Sequence, residues 1–129
     1  MKKDQSFHDY VLFDVMRGFP DIRSRAMFGG WGIYRGGIIF AIIVGGTLYL
    51  KVDDNNRSYF EERHCAPFVY HADKNKKITM SYWTAPDEII ENKDELERWI
   101  DRSVQASLNA KGTRLPRSRR VGKITSADR

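Results

Sequence analysis

Arg25–Tyr34 reads R-A-M-F-G-G-W-G-I-Y, and Leu48–Asp53 reads L-Y-L-K-V-D. Glycine pairs at Gly29-Gly30, Gly36-Gly37 and Gly45-Gly46 punctuate the apolar runs in and between these strings. Tight hairpin turns need positive φ angles, which glycine adopts at least cost, so each pair predicts a hairpin. The strands so delimited are Ile22–Phe28, Trp31–Tyr34, Ile38–Val44 and Leu48–Val52, an antiparallel meander. Asp53 or Asp54 then offers a carboxylate to the orphan N–H groups of a helix running to His64.

Outward from the meander, Phe7, Tyr10, Val11 and Val15 have the three-four spacing of a helix over Phe7–Arg17, with Ser6 as its cap and Gly18 and Pro20 as its stop. Downstream, Pro67–Tyr70 and Lys77–Trp83 read as two more strands, and Pro86 opens a short turn. Asn92 with Glu95 resembles a capping box for a last helix to Asn109, whose apolar face is Leu96, Trp99, Ile100, Val104 and Leu108. Helices that do not alternate singly with strands predict an α+β fold: an antiparallel meander sheet with helices at the N-terminus, middle and C-terminus.

At 129 residues, 41% hydrophobic and 30% charged, the chain has the composition of one ordinary globular domain with a tail. The longest apolar run, Ile38–Val44, falls far short of the roughly 20 residues a membrane helix needs. No apolar signal core follows Lys2-Lys3, and Cys65 is a lone cysteine, so a cytoplasmic protein without a membrane partner is expected. The net charge of +5 is unevenly spread: residues 111–129 hold seven Lys/Arg and one acid, a net +6, which leaves −1 on residues 1–110. Residues 1–110 are therefore expected to form the domain and 111–129 a basic, disordered tail.

Arg25, Met27, Phe28, Gly29, Gly30, Gly32 and Tyr34, then Gly37 and Phe40, then Leu48–Asp53 resemble the N-terminal domain of the TfoX/Sxy competence regulators. Phe60, Pro67, Phe68, Met80, Tyr82 and Pro86 continue the likeness, which covers roughly residues 5–110. The resemblance implies a twisted antiparallel sheet with helices, similar to secretion-chaperone-like α+β domains. It also implies a regulatory role in competence, exerted on transcription through a protein partner. The best-known members carry a second, helical C-terminal domain, for which the residues after Gly112 are too few.

The chemistry-bearing residues give no catalytic set. The glycine pairs lead into strands, whereas a P-loop or dinucleotide fingerprint leads into a helix. His64-Cys65 suggests a small-molecule or enzymatic cleft as an alternative function, but sequence neighbours seldom face each other as nucleophile and base. Asp53-Asp54 is explained by capping before metal binding, and Glu61-Glu62 and Asp87-Glu88 read as solvated faces. No Ser-His-Asp set is visible from spacing, and no cofactor or metal is expected. Arg25, Tyr49, Lys51 and Trp83 are candidate partner-binding residues, because charges and aromatics inside strands mark a contact surface. Arg114, Arg117, Arg119, Arg120 and Lys123 are candidates for nonspecific nucleic-acid binding through phosphates. Ile38–Val44 does not alternate: Ile38, Phe40, Ile42 and Val44 fall on one face and Ile39, Ala41 and Ile43 on the other. A homodimer covering one of those faces is expected.

Overall fold

The computed structural model describes residues 5–27, 29–73 and 75–112. The chain begins with α1 (Gln5–Tyr10), which widens into a π-helical turn over Val11–Val15. Met16 N–H donates to Val11 O at 2.9 Å, an i→i+5 bond, and Val11, Val15 and Met16 all reach the core while Phe13 is left 65% exposed. Ser6 lies inside this helix and is not its cap. Four strands follow: β1 (Ile22–Met27), β2 (Gly30–Arg35), β3 (Ile38–Val44) and β4 (Thr47–Lys51). After α2 (Arg57–Glu61) come β5 (Pro67–Asp73), β6 (Lys76–Thr84), the single turn α3 (Asp87–Ile90) and the long α4 (Lys93–Gly112).

All six strands join one antiparallel sheet in the order β1-β2-β3-β4-β6-β5. The fold is α+β, with the meander as expected through β4. The final hairpin then enters in reverse: β6 returns beside β4 and β5 forms the edge. Gly36-Gly37 and Gly45-Gly46 take positive φ at every position, as two-residue turns require. Gly30 plays a different part from the turn role expected of it. It lies in β2, where an added Cβ would sit 2.0 Å from Ile43 O.

Two rows across the sheet settle which side chains share a face. Ser24, Ile33, Ala41, Leu50, Trp83 and Pro67 are successive partners in one row; Arg25, Gly32, Ile42, Tyr49 and Thr84 form the other. The first row faces the helices. Val11 and Val15 from the N-terminal segment, Phe60 from α2, Ile89 from α3, and Leu96, Trp99 and Ile100 from α4 pack there on Ile33, Ala41, Ile43, Leu48 and Leu50 as one core. Each such large apolar side chain contributes about 1.5–3 kcal/mol by burial. The helices therefore share one side of the sheet and leave the other uncovered.

A β-bulge corrects the expected split of Ile38–Val44. Ile33 pairs with Ala41 but Tyr34 with Ile39, so Phe40 is the extra residue on β3. Phe40 and Ala41 are consequently both in the helix-side core with Ile43, whereas Ile39 and Ile42 belong to the uncovered side. Asn92 Oδ1 accepts the Glu95 N–H at 3.2 Å, the capping contact expected for α4.

Candidate functional site: the helix-free sheet face

The L-Y-L-K-V-D string is built by alternation. Leu48, Leu50 and Val52 enter the core, and Tyr49 and Lys51 point to the helix-free side. Its end is fixed by polar contacts. Lys51 O accepts Ser103 Oγ–H at 2.9 Å and Asn56 Nδ2–H at 3.0 Å, while Asn56 Oδ1 accepts Asp53 N–H at 2.8 Å. Asp53 does not cap α2, which starts later, at Arg57 after Asn56. Its carboxylate accepts Asn55 N–H at 2.9 Å and Asn109 Nδ2–H at 3.1 Å, closing the turn and tying it to α4. Asp54 pairs with Arg57. The acidic pair is thus engaged in structure. A wide, shallow depression of about 1040 Å³ lies beside it, between Lys51, Ser81 and the end of α4.

On the helix-free face a cleft of about 490 Å³ is floored by Ile39, Ile42 and Val44 of β3. Met27 bounds it towards β1, and Phe68, Tyr70, Met80 and Tyr82 bound it from the β5–β6 hairpin. The Phe68 ring lies 5.0 Å from that of Tyr49, so the hairpin folds back over β4. Gly32 lies beneath this wall; a Cβ there would meet Ile39 Cδ1 at 3.0 Å and Met27 Sδ at 3.1 Å. Lys51 Nζ donates to Ser81 Oγ at 2.7 Å and sits 5.1 Å from the Tyr82 ring centroid. Loss of water around this ammonium lowers its pKa, partly offset by Asp53. Burial pushes the Tyr82 phenol up to about 12, with Tyr34 adding to the effect.

The charge on this face is one-sided. β1 to β4 and β6 contain no Asp or Glu. Arg35 is neutralised from the helix side by Asp101 at 2.7 Å and Glu97 at 3.8 Å. Arg23, Arg25 and Lys51 form no ion pair among the described residues. The structure thus gathers Arg25, Tyr49 and Lys51 on one face. Trp83 is not with them: it shares the Leu50 row and packs against Phe60, ring centroids 6.3 Å apart. Arg114, Arg117, Arg119, Arg120 and Lys123 lie outside the described residues.

One constellation was not legible from spacing. His8 Nε2 is 2.8 Å from Ser24 Oγ, and His8 Nδ1 is 2.8 Å from Asp9 Oδ1. A carboxylate only accepts, so Nδ1–H donates to Asp9, and Nε2 shares a hydrogen bond with the Ser24 hydroxyl. The Ser-His-Asp connectivity is present, although no spacing in the sequence displays it. Its setting is closed, however. His8 is 7% exposed, its ring lies 4.5 Å from Trp31, and Ser24 sits mid-strand. The arrangement fastens α1 to β1. His64 and Cys65 do not form a matching pair: the thiol is half-buried, burial raises its pKa, and its Sγ faces Arg63 O at 3.9 Å. Less thiolate at neutral pH makes a poorer nucleophile. Among the described residues no three His, Cys, Asp or Glu side chains converge as a metal site, and no helix is long and apolar enough to cross a membrane.

The chain is 26% identical over 110 residues to Protein Sxy of Escherichia coli (strain K12), covering 85% of this chain and 52% of that protein. It is 28% identical over 82 residues to the DNA transformation protein TfoX1 of Aliivibrio fischeri (strain ATCC 700601 / ES114), covering 64% of this chain and 38% of that one. The chain therefore spans about half, or less, of the length of these curated relatives. The TfoX N-terminal domain model matches residues 14–107, the stretch that holds the whole sheet, α2, α3 and most of α4, and the chain belongs to that family.

Proposed function

We propose that this chain is a non-enzymatic binding module of competence regulation, acting in the cytoplasm on transcription through a protein partner. The observation that carries the reading is the helix-free sheet face, where Arg25, Tyr49 and Lys51 stand beside an apolar bed and, among the described residues, Arg25 and Lys51 form no ion pair. Unpaired cations around an apolar centre suit an acidic, partly apolar partner surface, which they both steer and orient. The relative named a DNA transformation protein supports the cellular process.

Affinity capture from the native cell extract tests it, comparing the wild type with the Arg25→Glu/Lys51→Glu double variant. A component of the transcription apparatus should be retained by the wild type and lost by the variant. Recovery of no such component, or equal recovery by both chains, overturns the reading.

The concentration of charge in residues 111–129, a net +6 against −1 for the remainder, favours a second reading: nonspecific duplex binding through phosphates. An electrophoretic shift at two salt concentrations should then be lost on truncation after Ala110. Equal shifts by both chains, or none by either, reject it.

A further inference from the structure

The two edges of the sheet are finished differently. β5 opens on Pro67, which has no N–H to offer, and its register with β6 shifts at Pro67/Val69 and again at His71/Asp73, so that edge is blunted. β1 pairs with β2 from Ile22 to Met27 without a shift. Asp21 O accepts Gly36 N–H at 3.1 Å, and bonded pairs alternate along an antiparallel ladder. Arg23, Arg25 and Met27 therefore bond to β2, while Ile22, Ser24 and Ala26 turn their N–H and C=O groups outward. None of these outward groups has a hydrogen-bond partner among the described residues. His8 holds the Ser24 side chain from the helix side, so the strand is already fixed before anything pairs with it.

Charge selects what can pair with this edge. Arg23 and Arg25 are exposed, and among the described residues neither forms an ion pair, even with Asp21 just before the strand. An incoming antiparallel strand bonds to Ile22, Ser24 and Ala26. Arg23 and Arg25 are then left at the non-bonded positions, where facing side chains come closest. A second copy of β1 is repelled there: two-fold registers centred on Arg23, Ser24 or Arg25 each set arginine against arginine. The chain's own residues 111–129, net +6, bring the same sign of charge. We propose that the β1 edge takes up an acidic, extended segment of a partner protein as an added strand. That segment runs antiparallel to β1 and carries carboxylates at alternate positions, opposite Arg23 and Arg25. The proposal rests on the protein-partner reading above and gives that partner a conformation and a sequence pattern.

Nuclear magnetic resonance titration of the purified full chain with short capped peptides, at low ionic strength, tests the proposal. A peptide alternating valine and glutamate should slow amide exchange at Ile22, Ser24 and Ala26. It should bind about tenfold or more tightly than the peptide alternating valine and lysine. Arg23→Glu/Arg25→Glu should reverse that preference with the fold kept, since both side chains are exposed. Methylation of the valine nitrogens, which face β1, should abolish binding, whereas methylation of the glutamate nitrogens, which face away, should leave it intact. No binding of the glutamate peptide, equal affinity for both charges, or the same effect of either methylation would overturn the proposal. Shifts confined to Ile39, Ile42 and Val44 would place the peptide in the cleft and overturn it too. If the peptide fails while the wild type still captures a transcription component from the cell extract, the edge proposal falls and the partner reading stands.

Discussion

Ser103 Oγ donates to the carbonyl oxygen of Lys51 at 2.9 Å, joining the middle of α4 to the last residue of β4. The same oxygen accepts Asn56 Nδ2–H, and both donors are almost completely buried. This junction positions the Lys51 side chain on the opposite side of the sheet, because its backbone cannot rotate without breaking two hydrogen bonds. Structure on the helix side thereby sets the charge on the helix-free side.

The junction makes Asn56 more costly to remove than Ser103. Ser103→Ala deletes one donor and leaves Lys51 O with the other, for a loss of about 1 kcal/mol. Asn56→Ala also strands Asp53 N–H, and a loss of about 2–3 kcal/mol is expected. Urea unfolding of the two variants checks the order, and equal losses would show that the Asp53 contact contributes nothing.

Two glycines separate two physical roles. Gly45→Ala places a Cβ in open space at φ 57°, so only backbone strain is paid, about 1 kcal/mol. Gly30→Ala puts its Cβ against Ile43 O, and β2 must move away from β3 at a cost of about 3 kcal/mol. Thermal unfolding should therefore shift far more for Gly30→Ala. A reversed order would mean that β2 and β3 are further apart in solution.

Tyr82 gives a pH dependence of definite sign. Its pKa rises from 10.0 to about 12 on folding, so between these values the folded chain holds a proton that the unfolded chain has released. Stability from this group is complete below pH 10 and falls as pH rises towards 12. Lys51 acts in the opposite sense, since its lowered pKa lets the folded chain lose a proton first. In Tyr82→Phe the fall in stability between pH 10 and 12 should be smaller than in the wild type, and ultraviolet difference absorbance should assign a late-ionising phenol to Tyr82. An early phenolate at this residue would sink the assignment.

The strands were legible because glycine turns mark their ends: Ile38–Val44 is recovered to the residue, and the others to within one to three at each end. The bulge at Phe40 was not, since a run of seven apolar residues carries no alternation from which to read a slip. Trp83 was assigned to the partner face because register is a tertiary property. Only the pairing of Leu50 with Trp83, made after β6 inserts beside β4, packs it against the core. The His8–Ser24 contact spans sixteen residues with no local signal. The cleft depends on the fold-back of the β5–β6 hairpin, which no single segment encodes. Arg25, Tyr49 and Lys51 were found together because strand alternation is local and Tyr49 and Lys51 share one strand.

Self-association over the helix-free face is the remaining proposal, and the charge pattern attaches a condition to it. A two-fold contact sets this face against its own copy. The apolar bed favours the contact, with Tyr70 48% and Ile78 40% exposed on the β5–β6 hairpin. Arg23, Arg25 and Lys51 oppose it, because each copy brings the same sign of charge and no carboxylate from these strands. Salt screens that repulsion and leaves the apolar term in place, the Debye length shrinking from about 10 Å at 0.1 M to about 3 Å at 1 M. Sedimentation equilibrium at micromolar concentration should therefore show the dimer fraction rising with ionic strength, and Ile42→Lys should return the chain to monomer at every salt concentration. A dimer that weakens with salt places the contact on another surface, and a monomer throughout leaves this face free for a partner.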